Sequence, residues 1–223
     1  MLNYFIFEGP DGVGKTTLIK KVKEVLDSKF KFDDGRIIIT RSPGYTEFGA
    51  TIRNLVLMNS DIDSLTRQIL YMADTVNYYE SFFNKQDLQH KIILQDRTSY
   101  ISSVVYGVSD GVPLASLTKA LAVYKPPKCS KLFIINVPRD ITKERKKMDT
   151  GRVDYFETKP KSFHDSVDKA YASLITDKTL RLITSDIVHL ENVVNVDNID
   201  LDHAVNKIQN IISDHLTASI GDI

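Results

Sequence analysis

The fold is decided close to the amino terminus, by the stretch Asn3-Tyr4-Phe5-Ile6-Phe7-Glu8-Gly9-Pro10-Asp11-Gly12-Val13-Gly14-Lys15-Thr16-Thr17. Residues 4–7 are apolar or aromatic and predict a short buried strand, and the glycines after them predict a tight turn. The residues beyond this stretch are compatible with a helix. Between strand and helix, Gly9, Gly14, Lys15 and Thr16 match G-x-x-x-x-G-K-[ST]. The spacing predicts a phosphate-binding loop.

The chemistry of this loop predicts a nucleotide site. Glycines let the backbone curve so that successive N–H groups point at an anion, and the positive end of the following helix adds to the attraction. Lys15 is placed to reach the terminal phosphates, and the hydroxyl of Thr16 is placed to ligate Mg²⁺. We therefore predict that ATP binds to Gly9, Pro10, Asp11, Gly12, Val13, Gly14, Lys15, Thr16 and Thr17.

Five short runs rich in Ile, Val and Phe have the continuous apolar character of strands buried on both faces of a parallel sheet. They lie at residues 4–7, 36–40, 91–95, 131–137 and 192–196. Helical spacing predicts helices at residues 17–30, 65–83, 116–124, 142–148, 162–175 and 203–216. The alternation predicts an α/β fold with a doubly wound, five-stranded parallel sheet flanked by helices. The length of 223 residues fits a single domain, 1–223.

Composition narrows the possible partners. Lys+Arg and Asp+Glu both number 29, so the excess of basic residues typical of a nucleic-acid binder is missing, and we expect no nucleic-acid partner. Cys129 is the only cysteine, which fits a reducing, cytoplasmic compartment. The sequence begins directly with a strand, and no apolar run is long enough to span a bilayer, so we expect neither a signal peptide nor a membrane partner.

Further candidate groups follow the predicted strands, where ligands of such sheets bind. Asp96-Arg97 ends the third strand, and an acid there holds water on Mg²⁺ while a guanidinium clamps a phosphoryl group. Arg41-Ser42-Pro43-Gly44-Tyr45-Thr46 forms a turn after the second strand, and Arg53 comes shortly after it. Arg41 and Arg53 are candidates for a second anionic group. The basic segment at about residues 143–160, with Gly151 as a hinge, is typical of a mobile lid.

One competing motif is set aside. Asn84-Lys85-Gln86-Asp87 matches the guanine-reading N-K-x-D of GTPases. That tetrad should end a strand, whereas here it ends a predicted helix, and no D-x-x-G lies between the phosphate-binding loop and the tetrad. We interpret the match as accidental.

Taken in order, these motifs resemble the thymidylate kinase family of nucleoside monophosphate kinases. The likeness runs from residue 4 to about residue 174. Residues 7–17 match the family's phosphate loop, and residues 41–46 resemble its R-E-P-G-G-T turn. The remaining matches are Leu70-Tyr71-Met72-Ala73-Asp74 with L-F-A-A-D, Asp96-Arg97 with the D-R of D-R-Y followed by Ser102 and Gly107, and Asp154-Tyr155-Phe156-Glu157 with the D-R-F-E of the lid.

The resemblance implies transfer of the ATP γ-phosphoryl group to dTMP by a homodimeric enzyme that uses Mg²⁺. Lys15, Asp96, Arg97 and the lid residue Arg152 would be catalytic. Thr16, and Asp96 through water, would hold the metal ion. The acceptor nucleotide would bind to Asp11 (at its 3′-hydroxyl), Arg41, Tyr45, Arg53, Tyr71 (stacked on the base), Thr75, Arg97, Ser102 and Tyr106.

The sequence departs from the family pattern at several positions, two of which are near the base. Thr75 stands in place of an arginine, and Tyr106 in place of a glutamine. Tyr155 replaces the lid arginine, and Arg152 is the candidate substitute. Because a changed base-edge contact alters which base a pocket accepts, the acceptor preference is open to change or broadening. Two alternatives also stay open: a deoxynucleoside kinase acting on the free nucleoside, and a nucleotide-binding protein with little turnover.

Overall fold

A computed structural model of the protein describes residues 2–122, 124, 126–147, 154–176 and 193–220. The strands are β1 (Asn3–Glu8), β2 (Ile37–Arg41), β3 (Ile92–Asp96), β4 (Lys131–Asn136) and β5 (Val193–Asp197). The helices are α1 (Lys15–Phe30), α2 (Glu47–Met58), α3 (Ser64–Phe82), α4 (Ser99–Ser109), α5 (Leu114–Leu121), α6 (Arg139–Lys147), α7 (Lys161–Thr176) and α8 (Leu201–Ile220).

The strands form one parallel sheet in the order β2-β3-β1-β4-β5. This confirms the predicted α/β fold with five parallel strands. The strand order reverses at β1, which pairs with β3 on one side and β4 on the other. Ligands of doubly wound sheets bind at such a switch point. The phosphate-binding loop leaves β1 there.

The apolar run of β1 supplies both halves of the core. Successive side chains of a strand point to opposite faces, so Tyr4 and Ile6 join the cluster under α3, α4 and α7. Phe5 and Phe7 join the cluster under α1 and α8. All four side chains are fully buried. Burial on both faces explains why the run is continuous rather than alternating.

Helices α2 and α4 were not predicted from apolar spacing. In α2, the hydroxyl of Thr46 caps the helix by accepting from the Gly49 N–H at 3.0 Å. The residues of α4 include four serines and several β-branched side chains, which are weak helix formers. Most of α4 is buried, so its apolar residues are not confined to one face. Tertiary packing therefore stabilises a helix that local propensity does not favour.

The structure also bears on the N-K-x-D tetrad and on the expectation that no segment spans a membrane. Asn84-Lys85-Gln86-Asp87 follows the end of α3 rather than a strand, as the accidental interpretation requires. Within the described ranges, no helix is both long and apolar enough to cross a membrane.

Candidate active site

The phosphate-binding loop joins β1 to α1 at the carboxyl edge of the sheet. Gly9 has a φ angle of 145°, a backbone conformation that L side chains rarely adopt. A Cβ atom added at Gly9 would lie 2.2 Å from the carbonyl oxygen of Ile135 on β4. Gly14 has a φ angle of 85° where α1 begins. The loop therefore requires glycine at both ends of its motif.

Lys15 is buried at the start of α1. Its Nζ donates to the carbonyl oxygens of Gly9, at 3.0 Å, and Pro10, at 2.8 Å. Burial, and secondly the nearby guanidinium of Arg97, lowers the pKa of this ammonium to about 8. An anionic phosphate is a stronger partner for it than two neutral carbonyl groups. The ammonium is thus placed to exchange these carbonyls for phosphate oxygens.

Thr16 and Asp96 form the candidate metal site. The Thr16 hydroxyl donates to Oδ2 of Asp96 at 2.7 Å. The other carboxylate oxygen, Oδ1, is buried and has no hydrogen-bond partner among the described residues. Hydroxyl and carboxylate oxygens are hard ligands of the kind that Mg²⁺ takes, usually with water and phosphate completing its shell. The donor set therefore fits Mg²⁺.

Arg97 connects the phosphate-binding loop to α4. Its Nη2 lies 2.5 Å from Oδ1 of Asp11 and donates to the Tyr106 hydroxyl at 3.1 Å. That hydroxyl in turn donates to Oδ2 of Asp11 at 2.7 Å. Burial raises the pKa of Tyr106 well above its ordinary value, which keeps the hydroxyl protonated as a donor. The three side chains form a closed triangle at the end of β3.

Glu8 lies behind this triangle and is fully buried at the end of β1. It accepts from the Thr98 N–H at 2.7 Å, from the Tyr171 hydroxyl at 2.8 Å and from Ser102 Oγ at 3.2 Å. Arg97 Nη1 donates to the Tyr171 hydroxyl at 2.8 Å and lies 3.4 Å from Glu8. Burial raises the pKa of Glu8, and Arg97 opposes that rise. Glu8 and Tyr171 therefore hold the guanidinium in place.

The turn after β2 is held by a buried carboxylate on α3. The Gly44 N–H donates to Oδ2 of Asp74 at 3.1 Å, and Arg41 Nε donates to the Gly44 carbonyl at 3.2 Å. Burial raises the pKa of Asp74 to about 6. A Cβ atom added at Gly49 would lie 1.9 Å from Oδ1 of Asp74. Close approach of α2 to this carboxylate thus requires a glycine in the helix.

Two clefts meet at this edge of the sheet. The larger, about 1540 Å³, follows the phosphate-binding loop and includes Lys15, Thr16 and Asp96. The smaller, about 450 Å³, has walls formed by Pro43, Leu57, Tyr71, Ser99, Ser102, Tyr106 and Phe156. Both clefts are lined by Asp11, Arg53, Arg97 and Asp154. The two clefts thus share two carboxylates and two guanidinium groups, and the guanidinium groups are placed where two anionic ligands could meet.

The sequence model of the thymidylate kinase family matches residues 7–197 of this chain. The chain belongs to this family. It is 31% identical over 213 residues to a thymidylate kinase of Malacoplasma penetrans, covering 94% of this chain and 92% of that protein. It is 32% identical over 167 residues to a thymidylate kinase of Caldicellulosiruptor saccharolyticus, covering 74% and 78%. The crystal structure of a thymidylate kinase from Ehrlichia chaffeensis superposes with a TM-score of 0.68 at 18% identity, covering 93% and 97%.

Membership of the thymidylate kinase family confirms the predicted enzyme class, a nucleoside monophosphate kinase. It does not favour the two alternatives, a deoxynucleoside kinase and a binding protein with little turnover. The structural likeness at 18% identity independently supports the fold.

Most residues predicted for the family's site line one of the two clefts, but not all. The ring of Tyr45 lies edge-on against Tyr78 and Phe82, away from the walls of either cleft. The Thr75 hydroxyl is buried and donates to the Tyr71 carbonyl at 2.9 Å. Neither side chain is brought to the cleft walls. The predicted catalytic residue Arg152 lies outside the described residues, as do residues 148–153 of the predicted lid.

Sequence reasoning assigned no role to several residues that shape this family site. Glu8 gave a usable signal, since a carboxylate that ends a fully buried strand needs partners. Tyr171 and Phe156 lie in stretches that resemble the family, but no role followed from that, because an aromatic residue at helical or turn spacing is usually a core residue. Their proximity to Arg97 and Tyr106 depends on how α7 and residues 154–159 pack against α4.

Proposed function

We propose that this protein transfers the γ-phosphoryl group of ATP to the 5′-phosphate of dTMP, giving ADP and dTDP. The larger cleft, hereafter the donor cleft, would hold ATP, and the smaller, hereafter the acceptor cleft, would hold dTMP. The observation that carries the proposal is the set of residues that both clefts share, Asp11, Arg53, Arg97 and Asp154. The name thymidylate kinase of the similar proteins supports this choice of acceptor.

On the donor side, Lys15 would leave the carbonyls of Gly9 and Pro10 and bind the terminal phosphates of ATP. Thr16 and Asp96 would hold Mg²⁺, which when bound neutralises charge on the phosphates. The unpartnered Oδ1 of Asp96 supports this assignment. Because phosphoryl transfer asks little covalent chemistry of a protein, the residues act by positioning and by balancing charge.

On the acceptor side, Arg97 would bind the 5′-phosphate of dTMP and stabilise the migrating phosphoryl group. Arg53, which lines both clefts, would add positive charge at the same place, and Arg41 would do so from the wall of the donor cleft. Asp11, already bonded to Arg97, would accept from the 3′-hydroxyl of the sugar. Tyr71 is 7% exposed on the cleft wall and would stack on the base.

Few polar groups on the acceptor-cleft wall are available to contact the edge of the base. Thr75 is turned toward the backbone of α3, and the hydroxyl of Tyr106 is engaged by Asp11 and Arg97. Tyr71, Ser99 and Ser102 carry the other hydroxyl groups on the acceptor-cleft wall, and the Ser102 hydroxyl already donates to Glu8. A pocket with so few groups available for the base edge would discriminate among pyrimidines weakly. We therefore expect dTMP to be the best acceptor and dUMP to be a competent second one.

The test is a steady-state assay of ADP release with ATP, Mg²⁺ and each of dTMP, dUMP, dCMP, dGMP and dAMP, with thymidine as the unphosphorylated control. We expect the highest kcat/KM for dTMP and none for thymidine, because the acceptor site is built from arginines. Turnover of thymidine but not dTMP would instead support a deoxynucleoside kinase. ATP hydrolysis that no acceptor stimulates would refute the proposed transfer.

A homodimer is part of the proposal. Exposed apolar residues lie on the outer faces of α2 and α3, with Phe48 at 46%, Leu55 at 40%, Leu65 at 40% and Ile69 at 49% exposure. Their spacing of seven residues on α2 and four on α3 places each pair on one face of its helix. Light scattering should give a dimer for the protein and a monomer for Ile69→Glu. A monomeric wild-type protein at micromolar concentration would contradict this.

We also propose a cytoplasmic location and no nucleic-acid partner. The buried free thiol of Cys129 and the balanced charge support these expectations. Cell fractionation tests the location, and a gel-shift assay with single- and double-stranded DNA at 0.1 M salt tests the partner.

A further inference from the structure

Residues 154–159 lie between the acceptor cleft and the end of α2. The Tyr155 N–H donates to the Leu57 carbonyl near the end of α2 at 2.8 Å. The neighbours of Tyr155 on either side, Asp154 and Phe156, line the acceptor cleft. The Tyr155 side chain instead packs on groups behind the cleft wall. Residues 154–159 therefore contribute Asp154 and Phe156 to the cleft wall, while Tyr155 fixes the segment to its neighbours behind that wall.

The anchor on one side is the carboxylate of Asp110 at the end of α4. Its side chain is only 6% exposed. It accepts from the Tyr155 hydroxyl at 2.9 Å, from Lys159 Nζ at 2.5 Å and from Ser64 Oγ at 2.5 Å. A buried carboxylate bonded to three donors has a well-defined position, because losing any donor leaves charge poorly compensated. Asp110 thus ties residues 154–159 to α3 and α4.

The anchor on the other side is the fully buried guanidinium of Arg67 on α3. Its Nη2 donates to the carbonyls of Asn59 and Ile62, at 2.8 and 2.9 Å, in the loop that joins α2 to α3. Its guanidinium carbon lies 3.5 Å from the centroid of the Tyr155 ring. Cation–π contacts of this kind are strongest when water is excluded. Arg67, Asp110, Tyr155 and Lys159 are called the Tyr155 clasp below.

The clasp constrains the wall of the acceptor cleft through Phe156, the residue that follows Tyr155. This ring is 5% exposed, is stacked on Phe163 at a centroid distance of 5.8 Å, and meets the Tyr106 ring edge-on at 5.0 Å. Because Phe156 is bonded to Tyr155 along the chain, it cannot move away from Tyr106 unless the clasp opens. Phe156 belongs to the wall of the acceptor cleft and not to that of the donor cleft.

We propose that the Tyr155 clasp is a positioning device for the acceptor nucleotide: it holds Phe156 in the wall of the acceptor cleft and so sets the affinity for the nucleoside monophosphate. This rests on the proposed function for the identity of the acceptor. The donor groups Lys15 and Thr16 lie on α1, whereas the clasp contacts α3, α4 and the loop before α3. Asp154 and Glu157 of the same segment line the donor cleft, whereas Phe156 lines only the acceptor cleft. Opening the clasp should therefore raise KM for the acceptor more than KM for ATP.

The experiment compares Tyr155→Phe and Lys159→Met with the wild-type enzyme. Each removes one bond to Asp110 while keeping the ring or the aliphatic chain. We expect KM for dTMP to rise about tenfold, the scale of one lost bond to a buried carboxylate. We expect KM for ATP to change less than about twofold and kcat less than about threefold, because the donor groups and Arg97 are untouched. Lys159→Arg, which keeps the cation, should restore wild-type KM.

Matched controls remove similar groups elsewhere. Tyr124→Phe deletes a hydroxyl that accepts from Asn84 at 3.4 Å. Lys161→Met deletes an exposed ion pair with Asp165 at 2.7 Å. Both should keep wild-type KM values. Thermal unfolding shows whether each variant folds, and calorimetric titration with dTMP gives its Kd independently of turnover.

Three results would overturn the inference. Unchanged dTMP KM and Kd in folded Tyr155→Phe and Lys159→Met would show that the clasp only stabilises the fold. Equal rises in KM for ATP and dTMP would show general loosening. A Tyr155→Phe variant that does not fold leaves the decision to Lys159→Met and its arginine rescue. If the wild-type enzyme neither binds nor turns over any of the five nucleotides, both this inference and the proposed function are wrong. If the wild-type enzyme turns over normally and the variants are unaffected, only the inference about the clasp is wrong.

Discussion

Replacing Tyr106 by phenylalanine should slow acceptor use without changing the shape of the cleft. The hydroxyl donates to Asp11 at 2.7 Å and accepts from Arg97 at 3.1 Å. The ring itself packs edge-on against Phe156, with the centroids 5.0 Å apart, and stays in Tyr106→Phe. The substitution therefore isolates the positioning of Asp11 and Arg97 from the packing of the cleft.

The expected magnitude follows from the two bonds. A hydrogen bond to a charged group contributes about 1.5–3 kcal/mol to stability. The Asp11 side chain is 42% exposed, so water replaces part of what its carboxylate loses. We therefore take the lower end, about 1.5 kcal/mol, which corresponds to roughly a tenfold loss. The loss should fall on kcat/KM for dTMP, because Tyr106 lines the acceptor cleft and not the donor cleft.

The assay is a steady-state measurement of ADP release in which dTMP and ATP are varied separately, with Tyr124→Phe as the control for loss of a tyrosine hydroxyl. Thermal unfolding should give similar midpoints for Tyr106→Phe and the wild-type protein. A kcat/KM for dTMP within twofold of wild type would refute the role of the hydroxyl. A KM for ATP that rises as much as that for dTMP would refute its restriction to the acceptor side.

The remaining predictions concern the loop and its surroundings. Asp11→Ala should raise KM for dTMP at least about tenfold while the calorimetric Kd for ATP changes less than about threefold, since Lys15 and Thr16 are intact; equal losses would make the loop a donor site only. The pKa of Lys15 is about 8, so ATP binding at pH 8 should take up protons, and binding should weaken as pH rises above 8. Calorimetry in buffers of different ionisation enthalpy measures this proton uptake, and Lys15→Met should abolish it. The folded-state pKa of Asp74 is raised to about 6, so the folded protein binds more protons than the unfolded chain between about pH 4 and 6. The free energy of unfolding should therefore fall by up to about 3 kcal/mol as pH rises through that range. Urea titrations of Asp74→Asn should not show this fall. Gly9→Ala should lower the free energy of unfolding by at least about 2 kcal/mol, because its Cβ meets the carbonyl of β4, whereas Gly111→Ala, with φ 86° but open space, should cost only about 1 kcal/mol.

Much of the site could be predicted because its parts are local in sequence. The loop from Gly9 to Thr17 places backbone N–H groups, a lysine and a hydroxyl within nine consecutive residues. Continuous apolar runs predicted all five strands, and parallel strands bring their carboxyl ends to one edge. Thus the sequence alone predicts that Asp96 and Arg41, on two different strands, lie beside the loop.

Side-chain direction could not be predicted in the same way. Tyr106 was expected near the base from its place in the family pattern, yet its hydroxyl bonds to Asp11, 95 residues earlier in the chain. Tyr45 was expected at the acceptor, yet its ring packs on Tyr78 and Phe82. In each case the partner comes from another element, so the outcome depends on how the helices pack and not on spacing along one of them.

The sequence by itself thus determined the phosphate-binding loop, the parallel sheet and the family, because each depends on residues that are neighbours in the chain or on a periodic pattern. Only the tertiary structure decided that α4 is a helix, that Glu8 and Tyr171 hold Arg97, and that Tyr155 packs on Arg67 rather than facing the nucleotide. The physical reason is that a buried polar group must find a partner, and in this protein those partners are distant in sequence and become neighbours only when the helices pack against the sheet.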